Sequence, residues 1–510
     1  MEPPIVLSLE LPSSADFTHL LKSNDTPLKS DIPFIRNIIS NGQTRLDELN
    51  DQIESLQAKL AQLTRTRSEI AEIVRRHRAA LHPVRYVPPE LICEIFLLVL
   101  LSADEDSANR ATIPWCLSLV CRSWRQAALS YPPLWCSIIL HSYPTRDPLT
   151  MTETQLLRSS NLPLDISWQT DKSVDFRLLE SVVAHCGRWR TLRLNHCRTV
   201  FRGALDWLRP TVGRLARLEK LEMVFSSGTL SVPDVFGTAP ALREVILTDA
   251  ELGVPSPLIN LPSSQITRYR GKHELRHQLE ILMGTSALVE CAVSTTGRST
   301  FQDMVRSPNL RRLHLDNFHI LNYLEAPSLD TLYSRNSWSL RELSLFIQRC
   351  GCRLTKLTLI HCLGSFELVD LLRELPTLTY ILLESRQRTL DALFNALTVT
   401  GASSDICPDL TSFLYGYHLP VEGTSPFGDS FSRMVQSRLE IHSAATQDPT
   451  IRVMPHRGLQ FLRIFQLNER PLPPADLVAL LGTLRDGGLD AAFLNLRDFE
   501  DLRTQDSSFI

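Results

Sequence analysis

The chain has 510 residues, 43% of them hydrophobic and 21% charged, with a formal net charge of -3. That length allows roughly two to four domains with a core each, and the composition is that of a folded chain, not a disordered one. The charge balance lacks the basic excess that nucleic-acid or anionic-membrane binding requires, so neither partner is expected.

The longest uninterrupted aliphatic and aromatic run, Ile95 to Leu101, falls far short of the roughly 20 residues that span a bilayer. The start, MEPPIVLSLELP, lacks the basic stretch of a secretory leader. The 11 cysteines include no CxxC pair, and Cys93, Cys121, Cys197 and Cys362 lie in apolar segments, as buried reduced thiols do. The expected location is cytoplasm and/or nucleus.

In chain order, residues 1–38 mix proline, serine and isolated apolar residues without a period and are expected to be largely unstructured. In the segment 39–81, Ile39, Leu46, Leu49, Ile53, Leu56, Leu60, Leu63, Ile70 and Val74 take heptad a and d positions, which predicts a helix over about 43–80. Gly42, Arg67 and His77 interrupt the seam. Two readings stand: a coiled coil between two chains, and a stripe packed against another part of this chain.

His82-Pro83 ends that helix, because proline disfavours helical geometry in the residue before it. Pro88 and Pro89 then sit where a helix starts, Glu90 adds a negative charge to its first turn, and Leu91, Ile92, Ile95, Phe96 and Val99 follow at helical spacing. Ser102 to Thr112 reads as a polar loop. A second helix near Pro114 is expected to carry Leu117, Val120, Cys121 and Trp124 as one stripe, until Tyr131-Pro132-Pro133 stops it and Leu134 to Ile138 form a bulky apolar tail. Three short helices with three tryptophans, Trp115, Trp124 and Trp135, make a small core, which favours an interface role for Trp124 and Trp135 over a purely internal one.

From residue 189 the chain repeats an apolar-x-x-apolar-x-apolar frame. It occurs at Trp189-Leu192-Leu194, Leu218-Leu221-Met223, Leu242-Val245-Leu247, Leu288-Cys291-Val293, Leu310-Leu313-Leu315, Leu340-Leu343-Leu345, Leu354-Leu357-Leu359, Leu378-Ile381-Leu383 and Leu459-Leu462-Ile464. Each frame alternates like a short strand, with helical patterns between, such as Phe366, Val369, Leu371, Leu372 and Leu375. One strand plus one helix cannot bury its own apolar face, so the units are expected to stack. Clusters of Gly and Pro at 253–262 and 420–428 read as longer loops.

Residues 83–138 resemble the F-box, the helical module that binds the Skp adaptor of cullin-RING ubiquitin ligases. The resemblance rests on Val87-Pro88-Pro89-Glu90-Leu91 with Ile95-Phe96, on Val120-Cys121-Arg122-Ser123-Trp124, and on Leu134-Trp135. Val87 stands where leucine is usual, and the 102–114 stretch lengthens the link between helices. Together with the heptad helix the pattern is similar to fungal F-box proteins, and LRLNHC (Leu192 to Cys197) and LTLIHC (Leu357 to Cys362) are similar to cysteine-containing leucine-rich repeats.

The resemblance implies an α+β multidomain chain: a helical coiled coil and three-helix F-box, then an α/β leucine-rich-repeat-like solenoid over 140–497 and a loose tail over 498–510. It implies a substrate-recognition subunit of an SCF ubiquitin ligase, with the Skp adaptor, the cullin scaffold and a protein substrate as partners; a non-ligase scaffold using the coiled coil and repeats is the alternative. The adaptor would meet Pro88, Leu91, Ile92, Ile95, Val120, Cys121, Trp124, Leu134 and Trp135. The substrate would meet the outward residues of the repeat frames: Arg193, Asn195, Glu222, His314, Asp316, Ser344, Phe346, Thr358 and Glu384.

No GxxxxGK[ST], HExxH or GxSxG motif occurs. Cys350-Gly351-Cys352 with His361-Cys362 has poor zinc spacing. No catalytic residue, metal or cofactor is expected.

Overall fold

The computed structural model describes residues 20, 22–103, 108–140, 147–169, 176–198, 205–226, 233–249, 259–296, 301–336, 340–362, 365–385, 391–402, 405–417, 427–445, 458–467, 475–494 and 499. Most of the expected loops at 253–262 and 420–428, residues 1–19 of the expected unstructured start, and all of the 498–510 tail except Phe499 lie outside them. The chain divides into two compact units, 1–91 and 92–510.

In the first unit, α1 spans Ile32–Ala80, 49 residues, with Pro33 in its first turn, where a missing N–H costs nothing. It begins earlier than the heptad predicts, so residues 32–38 are helical and not unstructured. Gly42 lies inside it, a penalty of about 1 kcal/mol that a helix of this length absorbs. No residue of α1 is buried; Ile39, Leu46, Ile53, Leu56, Leu60, Leu63, Ile70 and Val74 are all exposed. A 3₁₀ turn, Pro83–Tyr86, follows, with the His82 ring nitrogen accepting from the Val84 N–H at 3.2 Å.

The second unit mixes helix and strand. Its sheet strands are β1 (Ser137–Leu140), β2 (Leu164–Gln169), β3 (Trp189–Arg198), β4 (Lys220–Ser226), β5 (Glu244–Asp249), β6 (Arg268–Glu274) and β7 (Glu290–Thr296). The short β8 (Val305–Arg306) and β10 (Leu324–Glu325) pair only with each other, on either side of β9 (Arg312–Leu315) in the chain. β11 (Thr331–Ser334), β12 (Lys356–Cys362), β13 (Tyr380–Ser385), β14 (Ser412–Tyr417), β15 (Phe461–Gln466) and β16 (Asp490–Leu494) complete it. Among the described residues fourteen strands form one parallel sheet, in which each lies beside the sheet strand that precedes it in the chain. The boundary expected at 138 therefore falls inside the first strand.

The register explains the frames. Leu192, Leu221, Val245, Tyr269, Cys291, Leu313, Leu332, Leu357, Ile381, Phe413 and Leu462 occupy one cross-strand row, all buried in a single continuous core. In the next core row Gly271 stands between Leu247 and Val293, where a Cβ would overlap the Tyr269 hydroxyl and the Gln278 carboxamide. Those two groups, bonded to each other at 2.8 Å, take the space a larger side chain would fill.

A third row alternates in sign: Lys220 to Glu244 (2.6 Å), Glu244 to Arg268 (3.7 Å), Arg268 to Glu290 (3.1 Å) and Glu290 to Arg312 (2.8 Å). The arginines of these pairs are half-exposed and Glu290 is buried between two of them; a slip of one residue would break the whole ladder, so the pairs support the register. Both His-Cys copies bend the ladder at the same place, with register shifts between Leu194 and Cys197 and between Leu359 and Cys362; His361 takes a left-handed φ of 55° there.

The frame expected at Leu340-Leu343-Leu345 is a helix, Arg341–Cys350, closed by Gly351 at φ 60°. Leu340, Leu343, Phe346 and Ile347 fall on its buried side, a spacing that serves a helix as well as it resembles the strand frame. Phe499, expected in a loose tail, is buried with its ring 4.7 Å from that of Phe465.

Candidate partner-binding surface

Three short helices follow the 3₁₀ turn: α2 (Pro89–Ser102), α3 (Ala108–Val120) and α4 (Arg122–Leu129). Pro89 opens α2 with Glu90 beside it, favourable for a proline ring and for a carboxylate near the amino end. Ile92, Cys93, Phe96 and Leu100 are buried, whereas Leu91, Ile95, Leu98, Val99 and Leu101 stay exposed. The helix thus has a buried apolar face and an exposed face that from Leu91 to Leu101 is apolar except for Glu94, and a helix of that kind normally has a second surface to bury.

α3 starts at Ala108, inside the stretch expected to be a loop, so Pro114 lies within the helix and not at its start. The single stripe expected through Val120 and Trp124 is broken in two. Cys121 is extended (φ -158°, ψ 175°), and its sulfur accepts from the Trp124 N–H at 3.4 Å, so it caps a new helix. The Arg125 guanidinium donates to the Ser118 carbonyl at 3.0 Å, supplying a partner for the end of α3. Leu119, Val120 and Cys121 are exposed at this joint, and Trp124 is half-buried with its ring 5.0 Å from Phe96.

The 3₁₀ turn Pro132–Trp135 closes the segment. Leu134 and Trp135 are fully buried, contrary to their expected place on the adaptor surface. The Trp135 indole N–H donates to the Ala128 carbonyl at 2.7 Å, its ring meets Trp115 edge-on at 5.1 Å, and the Arg158 guanidinium lies 4.4 Å above it. Ile92 is likewise a core residue. Of the residues expected to meet an adaptor, Pro88, Leu91, Ile95, Val120 and Cys121 are exposed and Trp124 partly so. Leu98, Val99, Leu101 and Leu119 are exposed as well and are not among the expected adaptor residues; the unbroken run from Ile95 to Leu101 signals the first three.

The second face of the sheet carries the expected substrate residues unevenly. Arg193 and Glu222 are register neighbours joined at 3.2 Å, and Asp316 is partly exposed. Asn195, His314, Thr358 and Glu384 are buried. Ser344 and Phe346 are not strand residues; Ser344 donates to Glu374 at 2.8 Å, and Phe346 is fully buried in the core. From β11 to β15 this face also carries an apolar cluster, in which Tyr333, Ile360, Leu382, Leu414 and Phe465 pack with Phe499.

Among the described residues no group of His, Cys, Asp and Glu could hold a metal ion. Cys352 and Cys362 are buried thiols whose pKa burial raises to about 11 and about 12, but Cys121, expected to be buried, is exposed. No described helix is long and apolar enough to cross a membrane. No protein-family model matches the chain, and no curated protein matches it.

Proposed function

We propose that the chain is the substrate-recognition subunit of an SCF-type ubiquitin ligase. Residues 83–138 would bind the Skp adaptor as an F-box, and the repeat region would act as a leucine-rich-repeat-like solenoid that holds a protein substrate. The carrying observation is α2, with one apolar face in the core and a second, Leu91, Ile95, Leu98, Val99 and Leu101, in solvent. That uncovered face lies on the very helix whose sequence resembles the opening of an F-box. The subunit would do no chemistry; holding a target lysine near a reactive thioester raises its effective concentration.

Tagged full-length chain purified from cells should recover the Skp adaptor together with a cullin. Recovery of neither would remove the ligase reading and leave the scaffold one.

The exposed heptad stripe of α1 supports self-association as a second contact. A peptide of residues 40–80 should be helical and dimeric or larger in sedimentation at high micromolar concentration. A strictly monomeric species would contradict this.

A further inference from the structure

The second face of the sheet is interrupted at β7. In one row it presents Arg270, Ala292, His314 and Tyr333 on successive strands β6, β7, β9 and β11, and in the next Lys272 and Ser294, followed by Asp316 and Arg335. The β7 residues in both rows are small, so a trough of about 410 Å³ opens between β6 and β9. That volume falls in the range of ligand pockets, roughly 300–1,000 Å³. Thr248 and Ser294 add hydroxyls to its lining, and the His314 ring stacks on Tyr333 at 5.3 Å, making a flat wall.

Three cations, Arg270, Lys272 and Arg335, face this trough against a single carboxylate, Asp316. That leaves two positive charges in a chain whose net charge is -3. His314 adds none near neutral pH, since burial and then Arg312 and Arg270 hold its pKa down to about 4. Lys272 and Arg335 are exposed, and among the described residues neither makes an ion pair. Burial lowers the Arg270 pKa, and the like charge of Arg335 adds to this, against support from Glu222 and Asp316.

We propose that this trough is a binding site for a phosphate-bearing ligand, with Lys272 and Arg335 gripping the dianion beside Arg270 and with Asp316 and Ser294 taking hydrogen bonds from the rest of the molecule. A dianion matches the charge excess better than a single carboxylate does, and guanidinium and ammonium donors form strong charge-assisted hydrogen bonds to phosphate oxygens. The site stands independently of the adaptor reading, because none of its residues lies in the segment 83–138.

The phosphate could be carried by a small soluble molecule or by a phosphorylated side chain, and titration calorimetry on the full chain separates these. The probes are inorganic phosphate, glycerol 3-phosphate and a capped Gly-phosphoserine-Gly tripeptide. At least one should bind saturably with one site per chain, weakening as salt rises. Tighter binding of glycerol 3-phosphate would assign a metabolite, and tighter binding of the tripeptide a modified protein. Lys272→Ala with Arg335→Ala, both on exposed positions, should weaken binding about tenfold or more. Ala292→Leu, which fills the trough without changing charge, should do the same while circular dichroism stays unchanged. Absence of saturable binding by all three probes overturns the proposal, as does wild-type affinity in the Lys272→Ala/Arg335→Ala variant.

Discussion

Replacing Arg438 by Met should cost the second unit about 3–5 kcal/mol, seen as a large drop in the urea midpoint of its transition. Arg438 lies in the helix Asp429–Ala445 and is 2% exposed. Its guanidinium donates to three backbone carbonyls, Leu397 at 2.9 Å, Cys407 at 2.9 Å and Ile406 at 2.8 Å. Burial lowers its pKa to about 10, so it remains charged at neutral pH and its desolvation is offset mainly by those bonds. The carbonyl at Cys407 belongs to a residue at φ 47°, a left-handed conformation costly for any side chain with a Cβ. Methionine keeps the stem volume but strips the Leu397 and Ile406 carbonyls of the guanidinium and leaves the Cys407 carbonyl with the Leu410 N–H at 3.2 Å alone. Lysine should fall between, since one ammonium does not reproduce the planar fork. An unchanged midpoint in Arg438→Met would contradict this account of the turn.

Trp135→Ala should destabilise the helical segment 92–136 by about 3–5 kcal/mol, the usual range for removing a buried aromatic. The loss combines a cavity under Arg158, the edge contact with Trp115 and the 2.7 Å hydrogen bond to the Ala128 carbonyl, which keeps the longer contact from the Tyr131 N–H at 3.5 Å. Hydrogen exchange should show protection lost first in α4 and the following 3₁₀ turn. Ile95→Glu, by contrast, places a charge on an already exposed position and should leave exchange unchanged. Equal protection in Trp135→Ala and wild type would show that the indole is not part of this core.

Where the sequence was legible, one periodicity dominated. The strands β3, β4, β5, β7, β9, β12, β13 and β15 are legible because every position of their frames is apolar and in the core, and α1 is legible from its heptad stripe although Gly42, Arg67 and His77 interrupt it. β6, Arg268–Glu274, escaped because its sequence RYRGKHE exposes cations on one face and hides a glycine on the other. β14 escaped because SFLYGY is apolar on both faces, and β11 because Ser334 stands in register with Leu315, where the frame needs an apolar residue. Leu340 to Leu345 misled because i and i+3 belong to helix and strand frames alike; Gly351, a left-handed helix end, was the discriminating residue.

At the candidate surface, the apolar residues were visible but their direction was not. Composition alone cannot say which side of α2 meets Phe96's neighbours, and Leu134 and Trp135 look as available in sequence as Ile95. The break at Cys121 was equally hidden, because a cysteine cap lacks the usual Ser, Thr, Asp or Asn signature. The trough at β7 depends on Ala292 and Ser294 sitting between larger side chains of two other strands, a relation that only the register supplies.

The most direct test of the central claim is the affinity of the purified full chain for a purified Skp adaptor, measured for the wild type and for Ile95→Glu combined with Val99→Glu. Both positions are exposed on α2, so the variant should fold as the wild type does. An apolar interface centre would have to desolvate two carboxylates, so the variant should bind at least about a hundredfold more weakly, equivalent to about 2.7 kcal/mol. Adaptor binding by the wild type with this loss in the folded variant is the predicted result. A wild type that does not bind, or a variant that binds equally well, would contradict the claim that this face of α2 is an adaptor-binding surface.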